Sequence, residues 1–296
     1  MIPKKFDYYA PGSLQEAIKL LRQNGEAKIL AGGQSLLPLM KLRLAAPTSL
    51  VDISKLPDFS YIRDEDDYLA IGALVTHDAV EHDRKIKDRL TLINDAVTSI
   101  GDKQVRNLGT IGGSVCHADP AADLPTAFLV ADAHFVMEGE SGRRVVPARD
   151  FFVDFFSTAV GHDEILTELQ VPYLPQRSGS AYVKHSLREA DFAIANVGTI
   201  VTMEEDGKTC REARIGLGSA GPTPLRATSA ERYLKGRPVD EATIAEAAER
   251  AIEGANPPSD VHGSREYRLK MIKALTQRSL GLALSRAVLT GGGMEG

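Results

Sequence analysis

Two short glycine motifs are the features of this sequence that could do chemistry. The first, Ala31-Gly32-Gly33-Gln34-Ser35-Leu36, follows residues 28–31, whose apolar pattern is typical of a short strand. Adjacent glycines let the main chain turn sharply, and consecutive N–H groups can then form a concave nest for an anion such as a diphosphate. A plain tight turn is the alternative. The motif matches neither G-x-G-x-x-G nor G-x-x-x-x-G-K-[ST], so neither a Rossmann nor a P-loop site is indicated.

A second glycine pair lies in Thr110-Ile111-Gly112-Gly113-Ser114, and Asp119 and Asp123 follow within ten residues of it. A bound dinucleotide needs donors along both sides of its diphosphate and a carboxylate that accepts from a ribose diol. Two separated nests with carboxylates downstream meet this need, with Asp123 or Asp119 as the acceptor. A glycine-rich loop with surface aspartates is the alternative, and the pairing of the two motifs favours the dinucleotide site.

Cys116 and His117 are residue types that ligate metals or act as nucleophiles. Adjacent residues cannot easily converge on one ion, and no second ligand cluster is evident in the sequence, so we predict no metal site. Neighbouring positions on an extended strand point to opposite faces, which argues against a Cys116–His117 nucleophile pair. Cys210 is the other cysteine, and the two lack C-x-x-C spacing. We therefore predict that cysteines carry no redox chemistry here.

Composition excludes several classes of partner and environment. The chain has 296 residues, enough for about two domains, and its net charge of -5 argues against a nucleic-acid footprint. No apolar run reaches the ~18 residues that a transmembrane helix needs. The N-terminal residues have tyrosines, a proline and a glycine where a signal peptide would have its apolar stretch. We therefore expect a cytoplasmic protein with no nucleic-acid partner and no transmembrane segment.

Local patterns place both glycine motifs in an N-terminal domain. Ser13 and Glu16 have the spacing of a capping box at the start of a helix, and residues 90–100 are typical of a second helix. Segments typical of strands, including a hairpin around a Gly-Glu-Ser-Gly turn, lie at residues 28–31, 50–53, 68–72, 134–138, 144–146 and 165–171. Residues 173–180 are rich in proline, glycine and serine, as in a linker, so we predict a domain boundary near residue 177.

The second half of the chain has a different pattern. Strand-like runs at residues 181–186, 193–203 and 212–218 predict an antiparallel meander. Helices follow, the first of them capped by Asp240, and the apolar spacing of Tyr267, Met271 and Leu275 predicts a second helical core face. The glycines at residues 291–296 predict a disordered tail.

These motifs together resemble the FAD-binding medium subunit of the molybdenum hydroxylases, flavoproteins of the xanthine dehydrogenase family, and specifically its aerobic carbon monoxide dehydrogenase type. The similarity runs from Phe6-Asp7-Tyr8 through LAGGQSLLPLMKLRLA, GDKQVRNLGTIGGSVCHADPAADLP and AYVKHSLREADFA to SREYRLKMIKALTQRSL. It implies an α+β fold. A FAD-binding domain of the vanillyl-alcohol-oxidase type, with two α+β subdomains, would span residues 1–176, and a C-terminal domain with a small antiparallel sheet and helices would span residues 177–290.

The resemblance also implies where the FAD diphosphate lies. Both glycine motifs, from Ala31 to Leu36 and from Thr110 to Ser114, would hold it noncovalently through main-chain donors, and Asp123 would accept from a ribose hydroxyl. Gln34 stands where some relatives have histidine or threonine, and Ser114 stands where many have asparagine. We therefore expect main-chain contacts at these two positions rather than side-chain contacts.

Four further residues match positions that contact the flavin or the adenine in the family. Ile100 and Leu166 would supply apolar contacts, Lys184 would make a polar contact to the flavin, and Phe192 would lie near the isoalloxazine. The carbon monoxide enzymes have a tyrosine at the position of Phe192. Phenylalanine keeps the flat apolar face and loses the hydroxyl, so no hydrogen bond is expected there.

The function implied by the resemblance is electron transfer. In this family the substrate reacts at a molybdenum cofactor on a large subunit, and electrons pass through [2Fe–2S] clusters on a small subunit to FAD. Two cysteines cannot supply the four-cysteine sets of such clusters, so partner chains would hold them, in a predicted dimer of heterotrimers. Two alternatives remain open: a self-contained flavin-dependent oxidase or reductase, and a non-catalytic nucleotide-binding structural subunit. Carbon monoxide, an aldehyde and an N-heterocycle all remain open as the substrate.

Overall fold

The computed structural model describes residues 2–291, which begin with a small parallel sheet. Its strands are β1 (Asp7–Tyr9), β2 (Ala27–Leu30) and β3 (Ser49–Asp52), in the order β1-β3-β2. Helix α1 (Leu14–Gln23) connects β1 to β2, and helix α2 (Leu36–Lys41) connects β2 to β3. The first glycine motif therefore lies between the end of β2 and the start of α2.

Helix α1 begins at the capping signal that the sequence predicts. The Ser13 side chain accepts from the N–H of Glu16 at 3.2 Å. The Glu16 carboxylate accepts from the N–H of Gly12 at 2.8 Å, so the reciprocal bond of the capping box is shifted by one residue. Buried apolar side chains fix α1 on β3 and the segment after it, namely Leu14, Ala17, Leu21, Val51 and Ile53.

The second part of the N-terminal half is a five-stranded antiparallel sheet. Its strands are β4 (Ile62–Asp64), β5 (Tyr68–Gly72), β6 (His134–Gly139), β7 (Gly142–Pro147) and β10 (Ile165–Pro172), in the order β4-β5-β10-β6-β7. Strands β6 and β7 form the predicted hairpin. The sequence predicts an alternating strand at β10, but residues 165–169 are all buried because other elements cover both faces of this central strand.

Helices and one small hairpin surround this sheet. They are α3 (His77–His82), α4 (Arg84–Arg89), α5 (Thr91–Thr98), α6 (Lys103–Leu108), α7 (Ile111–His117), α8 (Asp123–Val130) and α9 (Ala148–Phe151), with β8 (Phe152–Asp154) paired to β9 (Ser157–Thr158). The predicted helix over residues 90–100 is α5. The second glycine motif is not a loop, because its residues after Thr110 form the first turn of α7.

The C-terminal half contains the predicted antiparallel meander and three helices. Its strands β11 (Ser178–His185), β12 (Ala195–Met203), β13 (Cys210–Gly218) and β14 (Leu225–Arg226) pair in chain order. Helices α10 (Thr228–Leu234), α11 (Glu241–Ala251) and α12 (Arg265–Gly291) follow. Asp240 caps α11 as predicted, accepting from the N–H of Thr243 at 2.7 Å.

Helix α12 differs from the prediction at both of its ends. Of the three residues predicted on its core face, Leu275 is buried and Met271 is half-buried against the core, but Tyr267 is 38% exposed. Ile272, Leu280 and Ala283 complete the core face. The helix includes Gly291, where the disordered tail was expected to begin. The rest of that predicted tail, residues 292–296, lies outside the described residues.

The two halves of the chain pack directly on each other. Tyr182 on β11 and Ile200 on β12 belong to the same buried cluster as the apolar residues of α5 and α8. The chain leaves the second sheet at Pro172 and enters the C-terminal sheet at Ser178. We propose that the domain boundary lies in this short connection, at the predicted position near Arg177. None of the helices within residues 2–291 has the length and apolar character needed to cross a bilayer.

Candidate functional site

The first glycine motif forms a sharp, half-buried turn between β2 and α2. Gly33 has φ +70°, a left-handed conformation that glycine adopts without the strain of a side chain. The carbonyl oxygen of Gly33 accepts from the N–H of Leu37 at 3.1 Å, which is the first turn of α2. Ser35 lies at the N-cap position of α2, but its side chain makes no capping bond.

A run of main-chain donors in this turn has no acceptor. Within residues 2–291, no protein group accepts from six successive N–H groups, those of Ala31, Gly32, Gly33, Gln34, Ser35 and Leu36. Buried or half-buried N–H groups are almost always paired, so such a run indicates a ligand that accepts hydrogen bonds. The turn therefore has the donors that the anion-binding prediction requires.

The second glycine motif differs from its prediction. Four of its five N–H groups are already donated within the protein, which leaves only the N–H of Thr110 without an acceptor in the described chain. The donations run from Ile111 to Val75 O, from Gly112 to Ala73 O, from Gly113 to Thr110 Oγ1 and from Ser114 to Thr110 O, at 2.9 to 3.1 Å. The expected run of free main-chain donors is therefore absent here, because the motif forms a capped helix turn anchored on the segment after β5.

Each motif nevertheless contains one glycine with no room for a side chain, Gly32 in the first and Gly112 in the second. A Cβ at Gly32 would lie 2.0 Å from the carbonyl oxygen of Leu108, just before the second motif. A Cβ at Gly112 would lie 2.6 Å from Cβ of Ala73, so Gly112 faces the core. Gly113 is exposed and faces Ala31, whose Cβ would lie 3.8 Å from an added Cβ. The structure thus brings the two motifs together, with Gly113 and Ser114 on the accessible side.

A buried polar cluster lies at the start of α8. Lys184 Nζ lies 3.0 Å from Asp123 Oδ2 and also donates to the carbonyl oxygen of Ser99 at 2.9 Å. The hydroxyl of Tyr182 donates to Asp123 Oδ1 at 2.7 Å. Two residues predicted from the sequence, Asp123 and Lys184, are therefore in direct contact, although β11 and α8 belong to different halves of the chain.

Burial dominates the electrostatics of this cluster. Burial raises the pKa of Asp123, and the Lys184 ammonium and the hydrogen bond from Tyr182 partly oppose that rise. The pKa of Tyr182 lies well above its usual value, because burial and the neighbouring carboxylate both disfavour a phenolate. Each oxygen of Asp123 accepts one of these bonds and keeps a further lone pair. Its predicted bond from a ribose hydroxyl stays a prediction.

Of the two predicted apolar contacts, Ile100 lies beside this cluster and Leu166 lies on β10. Ile100 follows Ser99 and is half-buried against the core of the second sheet. Arg106 donates to the carbonyl oxygens of Ile100 and Gly101 at 2.8 and 3.1 Å, which fixes this turn. Leu166 belongs to the same core and is only 5% exposed, so little of its surface is available to a ligand.

Phe192 lies in the connection between β11 and β12 and is 66% exposed. The next residue, Ala193, donates its N–H to the carbonyl oxygen of Ala121 at 3.3 Å. Ala121 lies two residues before Asp123, so the loop that carries Phe192 adjoins the polar cluster. An aromatic ring exposed at this position can cover a flat ligand.

The predicted residues other than Leu166 therefore form two groups at the two ends of α7. The glycine motifs lie at its start, and the turn that leads to Asp123 lies at its end. With seven residues, α7 spans roughly 10 Å at 1.5 Å per residue. An extended ligand with an anionic group at one end of α7 and hydroxyls toward the other would match this arrangement.

Two residues of the site were missed by the sequence analysis. Tyr182 lies two positions before Lys184 on a predicted strand, so the period of two already puts both on one face. Arg106 lies between Ile100 and the second glycine motif, but nothing in the sequence indicates that its side chain donates to the turn at Ile100. Period-two spacing was therefore a usable signal for Tyr182 only.

One group of metal-ligand residue types lies on α3, where ligand atoms of Asp78, Glu81 and His82 fall within 4.8 Å of one another. Glu81 already pairs with Arg106, its Oε2 accepting at 2.7 Å. Exposed groups of this kind are common without an ion, so we assign no metal to it.

Comparison with known proteins identifies the family. The family described as "FAD binding domain in molybdopterin dehydrogenase" matches residues 4–174, and the family "CO dehydrogenase flavoprotein C-terminal domain" matches residues 180–283. The chain belongs to the FAD-binding subunits of the molybdopterin dehydrogenases. It is therefore an FAD-binding medium subunit of an oxidoreductase of the carbon monoxide dehydrogenase and xanthine dehydrogenase type, as the sequence motifs predict.

Relatives of this FAD-binding subunit match it over nearly their whole length. The carbon monoxide dehydrogenase medium chain of Hydrogenophaga pseudoflava is 39% identical over 97% of this chain and 99% of its own. A solved structure of carbon monoxide dehydrogenase from that organism has a TM-score of 0.94, with coverage of 97% and 99%. The 6-hydroxypseudooxynicotine dehydrogenase complex subunit alpha of Paenarthrobacter nicotinovorans is 40% identical, covering 97% of each chain.

The residues of the FAD-binding subunit fit its cofactor. The unpaired N–H groups of residues 31–36 match the acceptor oxygens of a diphosphate, and the exposed face of Gly113 leaves room beside them. Asp123, Lys184, the half-buried Ile100 and the exposed ring of Phe192 lie at the other end of α7. The individual contacts remain predictions.

Proposed function

We propose that this subunit holds FAD noncovalently and passes electrons from [2Fe–2S] clusters of a small partner subunit to an external acceptor. The observation that carries the proposal is the run of unpaired N–H groups at residues 31–36, packed against the second glycine motif in a chain of this family. FAD supplies the electron-transfer chemistry, and the protein binds it, orients it and sets its surroundings.

The roles of the residues follow their positions around α7. The N–H groups from Ala31 to Leu36 would donate to the diphosphate, and Gly113 and Ser114 would form the wall on which it lies. Asp123 would accept from a ribose hydroxyl. Ile100, Leu166 and Phe192 would offer apolar surface to the rings, and Lys184 would make the polar contact to the flavin.

The remaining redox centres would belong to partner chains. A [2Fe–2S] cluster needs four protein ligands, usually cysteines, and this chain has Cys116 and Cys210 alone. We therefore propose a small subunit with the clusters and a large subunit with the molybdenum cofactor. Two-fold pairing is the commonest oligomer symmetry, which favours a dimer of heterotrimers.

Co-purification of the tagged chain from its native host tests this proposal. We expect two further subunits in equal amounts, together with molybdenum, iron and FAD. A lone flavoprotein that oxidises an organic substrate without molybdenum or iron would support a self-contained oxidase instead. A chain that purifies with neither flavin nor partners would contradict the proposal outright.

A further inference from the structure

Tyr182 is held at both its main chain and its side chain. Its side chain is buried, 5% exposed, and its hydroxyl donates to Asp123 Oδ1 at 2.7 Å. Its N–H donates to Asp95 Oδ2 at 3.2 Å, and the same carboxylate oxygen accepts from Arg286 on α12 at 2.5 Å. These bonds fix the position from which the Tyr182 hydroxyl donates to Asp123.

The alignment of strand β11 with helix α5 places Tyr182 next to Asp95 and Asp123. Ser180, Tyr182 and Lys184 alternate along β11 and share one face, which lies against α5. Ser180 Oγ accepts from the N–H of Leu92 at 3.2 Å, the N–H of Tyr182 bonds to Asp95, and Lys184 bonds to the carbonyl oxygen of Ser99. Three alternate positions on the strand thus bond to Leu92, Asp95 and Ser99, which lie about one helical turn apart along α5 and its C-cap.

The consequence for Asp123 is a carboxylate held from two sides. Lys184 binds Oδ2 and Tyr182 binds Oδ1, so the two bonds fix the rotation of the carboxyl group about its Cβ–Cγ bond. Without the phenol, Oδ1 would lose its side-chain donor while remaining buried, and the carboxyl group would be free to rotate.

We propose that Tyr182 is a positioning residue for the FAD site, which holds the Asp123 carboxylate in the orientation that accepts from the cofactor. This inference rests on the proposed role of Asp123. It assigns to Tyr182 no contact with FAD itself. The hydroxyl acts only through Asp123.

A pH dependence follows from the same geometry. Burial raises the pKa of Asp123, and the hydrogen bond from Tyr182 opposes that rise, so removal of the hydroxyl should raise this pKa further. The titratable groups that bond to Asp123 are Lys184 and Tyr182, both on β11, and α8 has no other titratable residue. On the α7 side, His117 interacts with Asp119.

The test is the FAD affinity of Tyr182→Phe, measured on the apo full chain by titration across neutral and mildly acidic pH. A matched control is Tyr173→Phe, because the half-buried Tyr173 donates to Asp64 at 2.6 Å while Lys85 pairs with the other oxygen of Asp64 at 2.8 Å, in a group far more open to water than that around Asp123. We expect Tyr182→Phe to weaken FAD binding roughly tenfold or more, with the loss growing as the pH falls. We expect Tyr173→Phe to match wild type.

Asp123→Ala, which removes the acceptor, separates the failure of this inference from that of the proposed function. If Tyr182→Phe keeps the wild-type affinity and pH profile while Asp123→Ala loses affinity, Tyr182 is not a positioning residue. If Asp123→Ala binds FAD like wild type, the role of Asp123 fails and the role of Tyr182 fails with it. Should Tyr182→Phe not fold, 3-fluorotyrosine at position 182 keeps the hydroxyl and makes it a stronger donor. The pH profile should then shift to lower pH, and an unshifted profile would overturn the inference.

Discussion

Lys184 Nζ lies 3.0 Å from Asp123 Oδ2, and this ion pair joins the C-terminal half of the chain to the half that carries both glycine motifs. The two side chains are 8% and 7% exposed, so water screens the pair very little. Both residues belong to the FAD site that we propose. If that proposal holds, the FAD site and the contact between the two halves share the same charged groups.

Replacement of Asp123 should affect both stability and FAD binding. Asp123→Ala leaves the buried ammonium of Lys184 without its counter-charge, and breaking a buried pair in this way costs about 3–5 kcal/mol. The free energy of unfolding of the apo chain in urea measures this effect. Asp119→Ala is the control, because the Asp119 carboxylate has no buried counter-charge within the described chain to leave unpaired. Its Oδ1 accepts from the N–H of Ala121 at 2.8 Å, a bond worth about 0.5–1.5 kcal/mol. Equal losses for the two variants would contradict the buried pair.

Gly113→Ala should separate cofactor binding from folding. The added methyl group would face Ala31 across the two motifs, and the Thr110 hydroxyl, which caps α7 and lies 2.8 Å from the added Cβ, would need to shift. The weakened cap bond is offset by the higher helix propensity of alanine, so we expect little change in the unfolding midpoint. We expect a loss of FAD affinity of roughly tenfold or more. Gly281→Ala is the matched control, since Gly281 also lies in a helix and a Cβ there meets nothing within 4 Å. Wild-type FAD affinity in Gly113→Ala would remove the second motif from the site.

His77 should make the fold sensitive to acid. Burial lowers the pKa of His77 from 6.5 to about 4, with Arg106 adding to the effect, and its Nδ1 has no hydrogen-bond partner. Between pH 6.5 and about 4, the His77 imidazole is therefore protonated in the unfolded chain and neutral in the folded chain. Stability should be complete above the unfolded pKa and fall by about 3 kcal/mol as the pH drops to the folded pKa.

His77→Leu isolates this contribution because leucine cannot take up the proton. The difference in unfolding free energy between wild type and variant should change with pH between about 7 and 4.5. The carboxylates titrate in both chains and cancel in that difference. A constant difference across this range would mean that His77 is protonated normally in the fold.

Both thiols should be unreactive in the native chain. Burial raises the pKa of Cys116 to about 12 and that of Cys210 to about 11, so the nucleophilic thiolate is scarce at mildly alkaline pH. An aromatic disulfide reagent should modify neither thiol in the folded protein and both after unfolding in denaturant. Rapid modification of Cys116 in the native state would contradict the raised pKa of this half-buried thiol on α7.

Local signals in the sequence were sufficient for much of the fold. The cap at Ser13, the hairpin around Glu140 and the meander that begins at β11 depend on neighbouring residues, and all three are present in the structure. The short helices α3, α4, α6 and α9 were not predicted, since they are too short to show a period. The two glycines of the second motif indicate a loop, but the structure has helix α7 there. Hydrogen bonds from Ile111 and Gly112 to the main chain of the segment after β5 stabilise the start of this helix.

The site was predictable in part for the same physical reason. The glycine turn at residues 31–36 depends on local conformation, which glycine spacing reveals. The contact of Lys184 with Asp123 joins residues 61 positions apart, and no local pattern reports such a distance. The resemblance to a family named both residues, but only the structure reveals that they bind each other and that Tyr182 joins them.

We propose that this chain binds FAD noncovalently, and the flavin content of the purified chain tests that binding. The visible spectrum should show a flavin at one equivalent per chain, and acid precipitation should release all of it into the supernatant as FAD. A chain without flavin that also fails to take up added FAD would show that it is not the FAD carrier we propose. Flavin that stays with the precipitated protein would contradict noncovalent binding, because that result requires a covalent bond.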